Sequence, residues 1–446
     1  MLLFYTQVLG LSGAATGAIL FIGLLWDAVS DPLIGIWSDR LRTRWGRRHP
    51  MMLAAALPLG VGFIALFAPP PSVVDDKFLL GSWLLFWSLW IRTSITLFSM
   101  PHLALVAEIS SDYHERSSLL ALRMGFMFLT AVLLPAGALW LLFGVTDGGD
   151  GRFVATNYPL YGWASCIVVL LAAAGCIWGT RKNFVPVSRL VDSGGDDPGL
   201  RGMFRDFVGT LRIRNFRYVL LYDLASSTAY GILVALNILA WTYYWELSAI
   251  EVSLVMALPS LLAVPLAVWS MGPLGRRWAK HKILNTAIAL MILDAVWVFP
   301  LRQFELIPDN GHPLVFAALF LQMFIWMYLF VLRVVAAFSI TADVTDEHEL
   351  EHGTRQEGGF FSALTFTSKL ASALGPLYGG VILDLIGLEE GMLPGAVSQS
   401  TLDGLAVAMA AGVIPPLILA WYFSFHITMS EARLKQIQAD LALKSS

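Results

Sequence analysis

Eleven apolar stretches, each long enough to cross a bilayer as a helix, leave this chain one kind of fold. They lie near 11–37, 51–68, 78–109, 118–144, 158–180, 216–245, 249–272, 283–300, 313–342, 358–386 and 403–427. About 20 apolar residues cover the ~30 Å hydrocarbon layer as a helix. Only 14% of the residues are charged and 57% are hydrophobic, against about 25% charged in soluble domains. An all-α polytopic membrane protein is therefore the expected class. Met1 to Leu9 is apolar but amounts to only about two and a half turns. It reads as the end of a first helix whose beginning is absent, with no basic stretch of the kind that opens a cleaved signal peptide. Cys166 and Cys176 fall on one expected helix, about 15 Å apart along its axis, too far for a disulfide. A net charge of −3 and the lack of a basic stripe interleaved with aromatics argue against a nucleic-acid partner.

One long polar interruption, 181–215, carries Gly194, Gly195, Asp196, Asp197 and Pro198. It divides the chain into an expected N-terminal bundle (1–180), a cytoplasmic linker (181–215), a C-terminal bundle (216–427) and a tail from 428 to 446 that reads as a short amphipathic helix. Internal repetition supports the halves. Ala107-Glu108…Asp112-Tyr113-His114-Glu115 ends a span in the first half, and Ala342-Asp343…Asp346-Glu347-His348-Glu349 ends one in the second. The Gly35…Asp39-Arg40…Gly46-Arg47-Arg48 loop has a shorter partner in Gly272…Gly275-Arg276-Arg277. These arginine loops and the linker fall on one side if the spans alternate, so that side is expected to be cytoplasmic. Two six-helix bundles, the first helix truncated, is the major facilitator arrangement.

Ionisable residues inside the spans mark the expected site, since each costs about 2.5–3.5 kcal/mol at mid-membrane on insertion scales. Asp27 and Asp31 are four residues apart, one turn along a single helix face. They read either as a cation site facing a cavity, or as a packing pair neutralised by an arginine or held protonated. Arg92 and Lys369 lie roughly midway along their spans, too deep to reach the interface, so they are expected to pair with carboxylates or face a cavity. Arg123, about one turn from a span end, could equally snorkel. Thr96 and Ser99 precede Pro101 on the span of Arg92. Hydroxyls beside carboxylates suit a hard cation such as Na⁺, and equally suit ordinary interhelical hydrogen bonds. Asp223 and Asp294 are further candidates, as site residues or as structural partners. His348-Glu349-Leu350-Glu351-His352 matches the H-E-x-x-H pattern of zinc proteases, but falls in an expected charged loop without a third ligand. A membrane metalloprotease is thus the remote alternative. The chain is expected not to be an enzyme, since it has no Walker A loop or G-x-S-x-G elbow.

Phe4-Tyr5-Thr6…Val8-Leu9-Gly10-Leu11, Trp26-Asp27-Ala28…Asp31-Pro32…Gly35 and Arg44-Trp45-Gly46-Arg47 together resemble the glycoside–pentoside–hexuronide:cation symporter family, melibiose permease-like. Pro101-His102…Ala107-Glu108…Glu115-Arg116 and Ala342-Asp343…Asp346 extend the resemblance over nearly the whole chain. It implies that Asp27, Asp31 and Thr96 bind the coupling cation, Na⁺ or H⁺, with Ser30 where the family has asparagine. It places Lys369 at the family's eleventh-helix lysine between cation and substrate. Arg123, Arg92, Ser99 and His102 are weaker expectations for substrate or coupling, and Asp39, Arg40, Arg47 and Arg48 for a gating loop. Ser99 and Leu103 stand where the family has a sugar-binding aspartate and a tryptophan, and the first-helix aspartate would precede Met1. The expected function is cation-coupled symport of a sugar or glycoside by alternating access in a bacterial inner membrane, by a monomer in contact with lipid and without a cofactor. The alternative is a sodium-dependent lysolipid or other small-solute transporter.

Overall fold

The apolar stretches are helices in the structure, a computed structural model that describes residues 1–41, 43, 45–46, 48–109, 113–144, 150–181, 213–295, 297–352, 357–427, 436–437 and 440. The linker almost entirely, and the tail from 428 apart from three residues, lie outside the described residues. A short π-helical turn, Phe4–Val8, precedes α1 (Gly13–Arg40), α2 (His49–Phe67), the single turn α3 (Pro71–Val74), α4 (Lys77–Ile109), α5 (Tyr113–Leu142) and α6 (Asn157–Thr180). Then come α7 (Arg214–Leu239), closed by a π turn Ala240–Tyr244, α8 (Ala249–Arg277), α9 (Lys280–Asp294) and α10 (Val298–Gln303). The chain continues with α11 (Pro313–His352), α12 (Glu357–Leu385) and α13 (Gln399–Ser424). Ten spans, α9 and α10 counted as one, are long and apolar enough to cross a membrane by hydropathy; α12, which carries Lys369, is as long as most of them.

Helix ends follow local chemistry. Ser12 accepts from the Ala15 amide at the start of α1, and Ser398 accepts from the Thr401 amide at the start of α13. Ser248 and Glu251 cap one another's backbone amides at the start of α8, a reciprocal capping box. Two departures from the sequence reading have physical causes. The 283–300 stretch is two helices, α9 and α10, with Pro300 in the first turn of α10, a place where a missing N–H is tolerated. The His348–His352 segment is no loop: α11 runs to His352 without proline or glycine to stop it, and places His348 buried against the Phe360 ring, with centroids 5.4 Å apart.

The helices gather into two compact units, Met1–Leu200 with Glu389–Met392, and Arg201–Leu388 with Leu393–Ser446. In the first, α4 packs on both α1 and α2, and α2 on α6; in the second, α7 packs on α12 and α13, and α11 on α8 and α9. Large apolar side chains point outward, as Phe78 and Leu141 (each 80% exposed) illustrate, while Thr16, Ser30, Ser38, Thr96 and Thr341 are buried. That reversal of the soluble pattern fits hydrocarbon outside and polar groups turned inward. In the second unit α7 and α12 cross with backbones in contact, and a Cβ on Gly375 would overlap the Gly231 carbonyl.

Candidate functional site

The carboxylates of α1 meet α4 through a ladder of cross-helix bonds. Arg92 Nη1 donates to Asp27 Oδ2 at 2.6 Å, and Thr96 Oγ1 donates to Asp31 Oδ1 at 2.8 Å. Trp26 Nε1 donates to Thr93 Oγ1 at 2.9 Å. Asp27–Arg92 and Asp31–Thr96 share one sequence separation, 65 residues. A four-residue step on α1 thus matches a four-residue step on α4, so the helices run parallel, one turn facing one turn. Parallel spans need an antiparallel one between them in sequence, and α2, which packs on α4, is that return.

The fit of Arg92 depends on a glycine that the sequence reading missed. Gly23 is one turn before Asp27 on α1, and a Cβ there would lie 3.0 Å from Arg92 Nε and 3.2 Å from its Cδ. The bare backbone lets the guanidinium lie across α1 and reach the carboxylate. Trp26 and Thr93 were missed as well, because neither is ionisable and their pairing depends on the rotation of two helices. For Asp27 the geometry is the arginine-neutralised pair. Asp31 has an uncharged hydroxyl partner in Thr96.

The other expected site residues are scattered. Ser30 is buried beside Asp31 in sequence, and its Oγ makes no hydrogen bond among the described residues. Ser99 lies about one turn past Thr96, and His102 stacks on Phe98 with centroids 6.0 Å apart. Arg123 is half-buried on α5. Of the arginine loop, Arg48 is buried and donates to Ser38 Oγ at 2.9 Å. The side chains of Asp39 and Arg40, and Arg47 altogether, lie outside the described residues.

In the second unit Lys369 is half-buried on α12. Its neighbour Ser368 donates to Asp223 Oδ2 at 2.5 Å, tying α12 to α7. Arg333, buried on α11, donates to the Tyr222 hydroxyl at 3.1 Å and lies over the Phe330 ring. The motif repeated in both halves also has a structural role here. Lys280 donates to both carboxylate oxygens of Asp343, at 2.7 and 2.8 Å, and Asn215 donates to Glu347 at 2.8 Å. These bonds hold one end of α11 to α9 and α7.

Ten apolar helical spans, counted among the described residues, with ions paired between neighbouring helices, define a multi-pass membrane protein. The chain belongs to the MFS/sugar transport protein family, whose model matches residues 1–429. It is 24% identical to an uncharacterised symporter of Synechocystis over 98% of this chain and 92% of that one. It is also 24% identical to a putative glycoside/cation symporter, YagG of Escherichia coli, over 98% and 89% of the two chains. The crystal structure of the nucleoside transporter NupG shares the fold, with a TM-score of 0.61 at 14% identity over 96% of this chain and 93% of that one. These likenesses are to transporters, so the H-E-x-x-H segment belongs to a transporter helix and the protein is not an enzyme.

Proposed function

We propose that this protein is a cation-coupled symporter that carries a sugar or glycoside across a bacterial inner membrane by alternating access, with Na⁺ or H⁺ bound between α1 and α4. The observation that carries the reading is the Asp31–Thr96 bond one turn from the Asp27–Arg92 pair. Asp31 with the Thr96 hydroxyl offers the oxygen atoms a hard monovalent cation takes. The sugar reading rests on the family and on the glycoside/cation name of the relative. Lys369, Arg123, Ser99 and His102 are proposed to serve substrate and coupling, and the loop around Asp39, Arg40, Arg47 and Arg48 to serve gating. The 1–180 and 216–427 bundles are the proposed moving parts.

The test is Na⁺-dependent stabilisation of the purified protein, wild type beside Asp27→Asn and Asp31→Asn. A ligand present at a hundred times its Kd raises stability by about 2.7 kcal/mol. A saturable Na⁺ response is expected in the wild type and absent in Asp31→Asn, with no such response to K⁺. A pH response lost in the variant, without a Na⁺ response, assigns H⁺ as the coupling ion. If neither cation stabilises the wild type, the symporter reading falls. Uptake of labelled glycosides into vesicles under the gradient of the identified ion then tests the substrate class.

A further inference from the structure

The second unit has a largely apolar pocket of about 30 Å³ beside the junction of α9 and α10, with Asp294, Asn237 and Gln322 as its polar members. A cavity of this measure holds about two water molecules. Two buried polar atoms of its lining residues have no hydrogen-bond partner among the described residues, Asp294 Oδ2 and Trp326 Nε1, and both residues are only 4% exposed. The other carboxylate oxygen, Oδ1, accepts from Trp297 Nε1 at 3.0 Å. The backbone carbonyl of Asp294, freed by the break, accepts from Gln322 Nε2 at 3.0 Å. Interrupted helices that line a cavity are where many transporters place their ion sites.

We propose that Asp294 is a proton-binding site, reached through the water of this cavity and independent of the cation site on α1 and α4. Among the described residues, Asp294 is the sole ionisable residue on the wall. From α7 and its π turn the cavity is faced by Leu233, Asn237, Ala240, Trp241 and Trp245, from α11 by Leu319, Gln322, Met323 and Trp326, and from α13 by Met409. The α8 helix contributes nothing to it. Arg302 of α10 is turned to the Tyr244 carbonyl and the Asn310 side chain, and stacks on the Tyr244 and Trp245 rings. An ionised Asp294 therefore stands without a basic partner at the C-terminal, negative end of α9. Protonation removes that charge: Oδ2 takes a proton from a hydronium in the cavity, leaving water, and returns it by the reverse step. A hard metal ion fits less well, because it needs roughly six oxygen ligands, whereas Trp297 and Trp326 present N–H donors to the site. The break beside Asp294 is where a change of charge would bear on the joint between α9 and α10.

Infrared difference spectroscopy of the full chain in lipid nanodiscs, between acidic and alkaline buffer, tests the assignment. A buried carboxylic C=O band that shifts in deuterated water is expected in the wild type. It is expected to vanish in Asp294→Asn and to persist in Asp223→Asn. Trp297→Phe removes the N–H from which Oδ1 accepts and is expected to move the band to higher frequency, a readout that stands even where Asp294→Asn does not fold. Adding Na⁺ to the same sample reads the α1–α4 site separately and is expected to leave the band unchanged. A band that survives Asp294→Asn, the absence of any such band in the wild type, or a band unmoved by Trp297→Phe overturns the proposal.

Discussion

Replacing Arg92 with methionine is expected to destabilise the first unit by about 3 kcal/mol, at the low end of the ~3–5 kcal/mol that breaking a buried ion pair costs. The low end applies because the Arg92 and Asp27 side chains are 24% and 15% exposed, so water takes up part of the unpaired charge. Methionine keeps the aliphatic stem over Gly23 and removes only the charge and the bond at 2.6 Å. Asp27→Asn alone leaves the guanidinium without its carboxylate and is expected to cost a similar amount. The double variant Asp27→Asn, Arg92→Met leaves no unpaired ion, and most of the loss is expected to return. Unfolding of all four proteins in the same detergent closes the double-mutant cycle. A coupling energy indistinguishable from zero would show that the pair does not hold α1 to α4. Gly23→Val reaches the same bond from the other side, since its side chain displaces Arg92 without altering any charge.

The largest packing effect is expected at Gly375. Its hydrogen is turned at the backbone of Gly231, and a Cβ at Gly231 would in turn overlap the Ser372 carbonyl. Backbone atoms of two packed helices cannot rotate aside as a side-chain tip can, so α7 and α12 must separate to admit even a methyl group. Overpacking typically costs about 1–3 kcal/mol where side chains can adjust; here Gly375→Leu is expected to exceed that and abolish the monodisperse protein. Gly375→Ala is expected to lower the melting temperature clearly. Gly272, on α8, is the control: a Cβ there meets nothing within 4 Å, so Gly272→Ala is expected to be neutral or slightly stabilising, as alanine is the better helix former. Melting curves in detergent that rank the two alanine variants equally would refute the close crossing.

The difference between these two sites and the spans themselves shows what each level of description decides. Where the chain crosses the membrane follows from the length of its apolar runs, a local property, and so does the placing of Asp27 and Asp31 on one face, because 3.6 residues make a turn. The need of Arg92 for a partner is likewise legible, since an arginine at mid-membrane carries a cost that solvent does not cover. Which carboxylate meets it is not. Asp27 faces Arg92 and Asp31 faces Thr96 because α1 and α4 share a register and a rotation, and partners 65 residues apart are set by packing that no local pattern contains. The same holds for Gly23 and Gly375, ordinary helical glycines in the sequence, whose missing side chains matter only because another helix lies against them. Asp294 was already legible as an ionisable residue of the eighth span, yet only the folded second unit brings Trp326, Asn237 and Gln322 to the pocket beside it. The sequence by itself determined the class of protein, the spans and the ionisable residues within them. Tertiary structure alone decided which of those residues meet, because burying a charge is a local cost whereas satisfying it depends on how distant helices are placed.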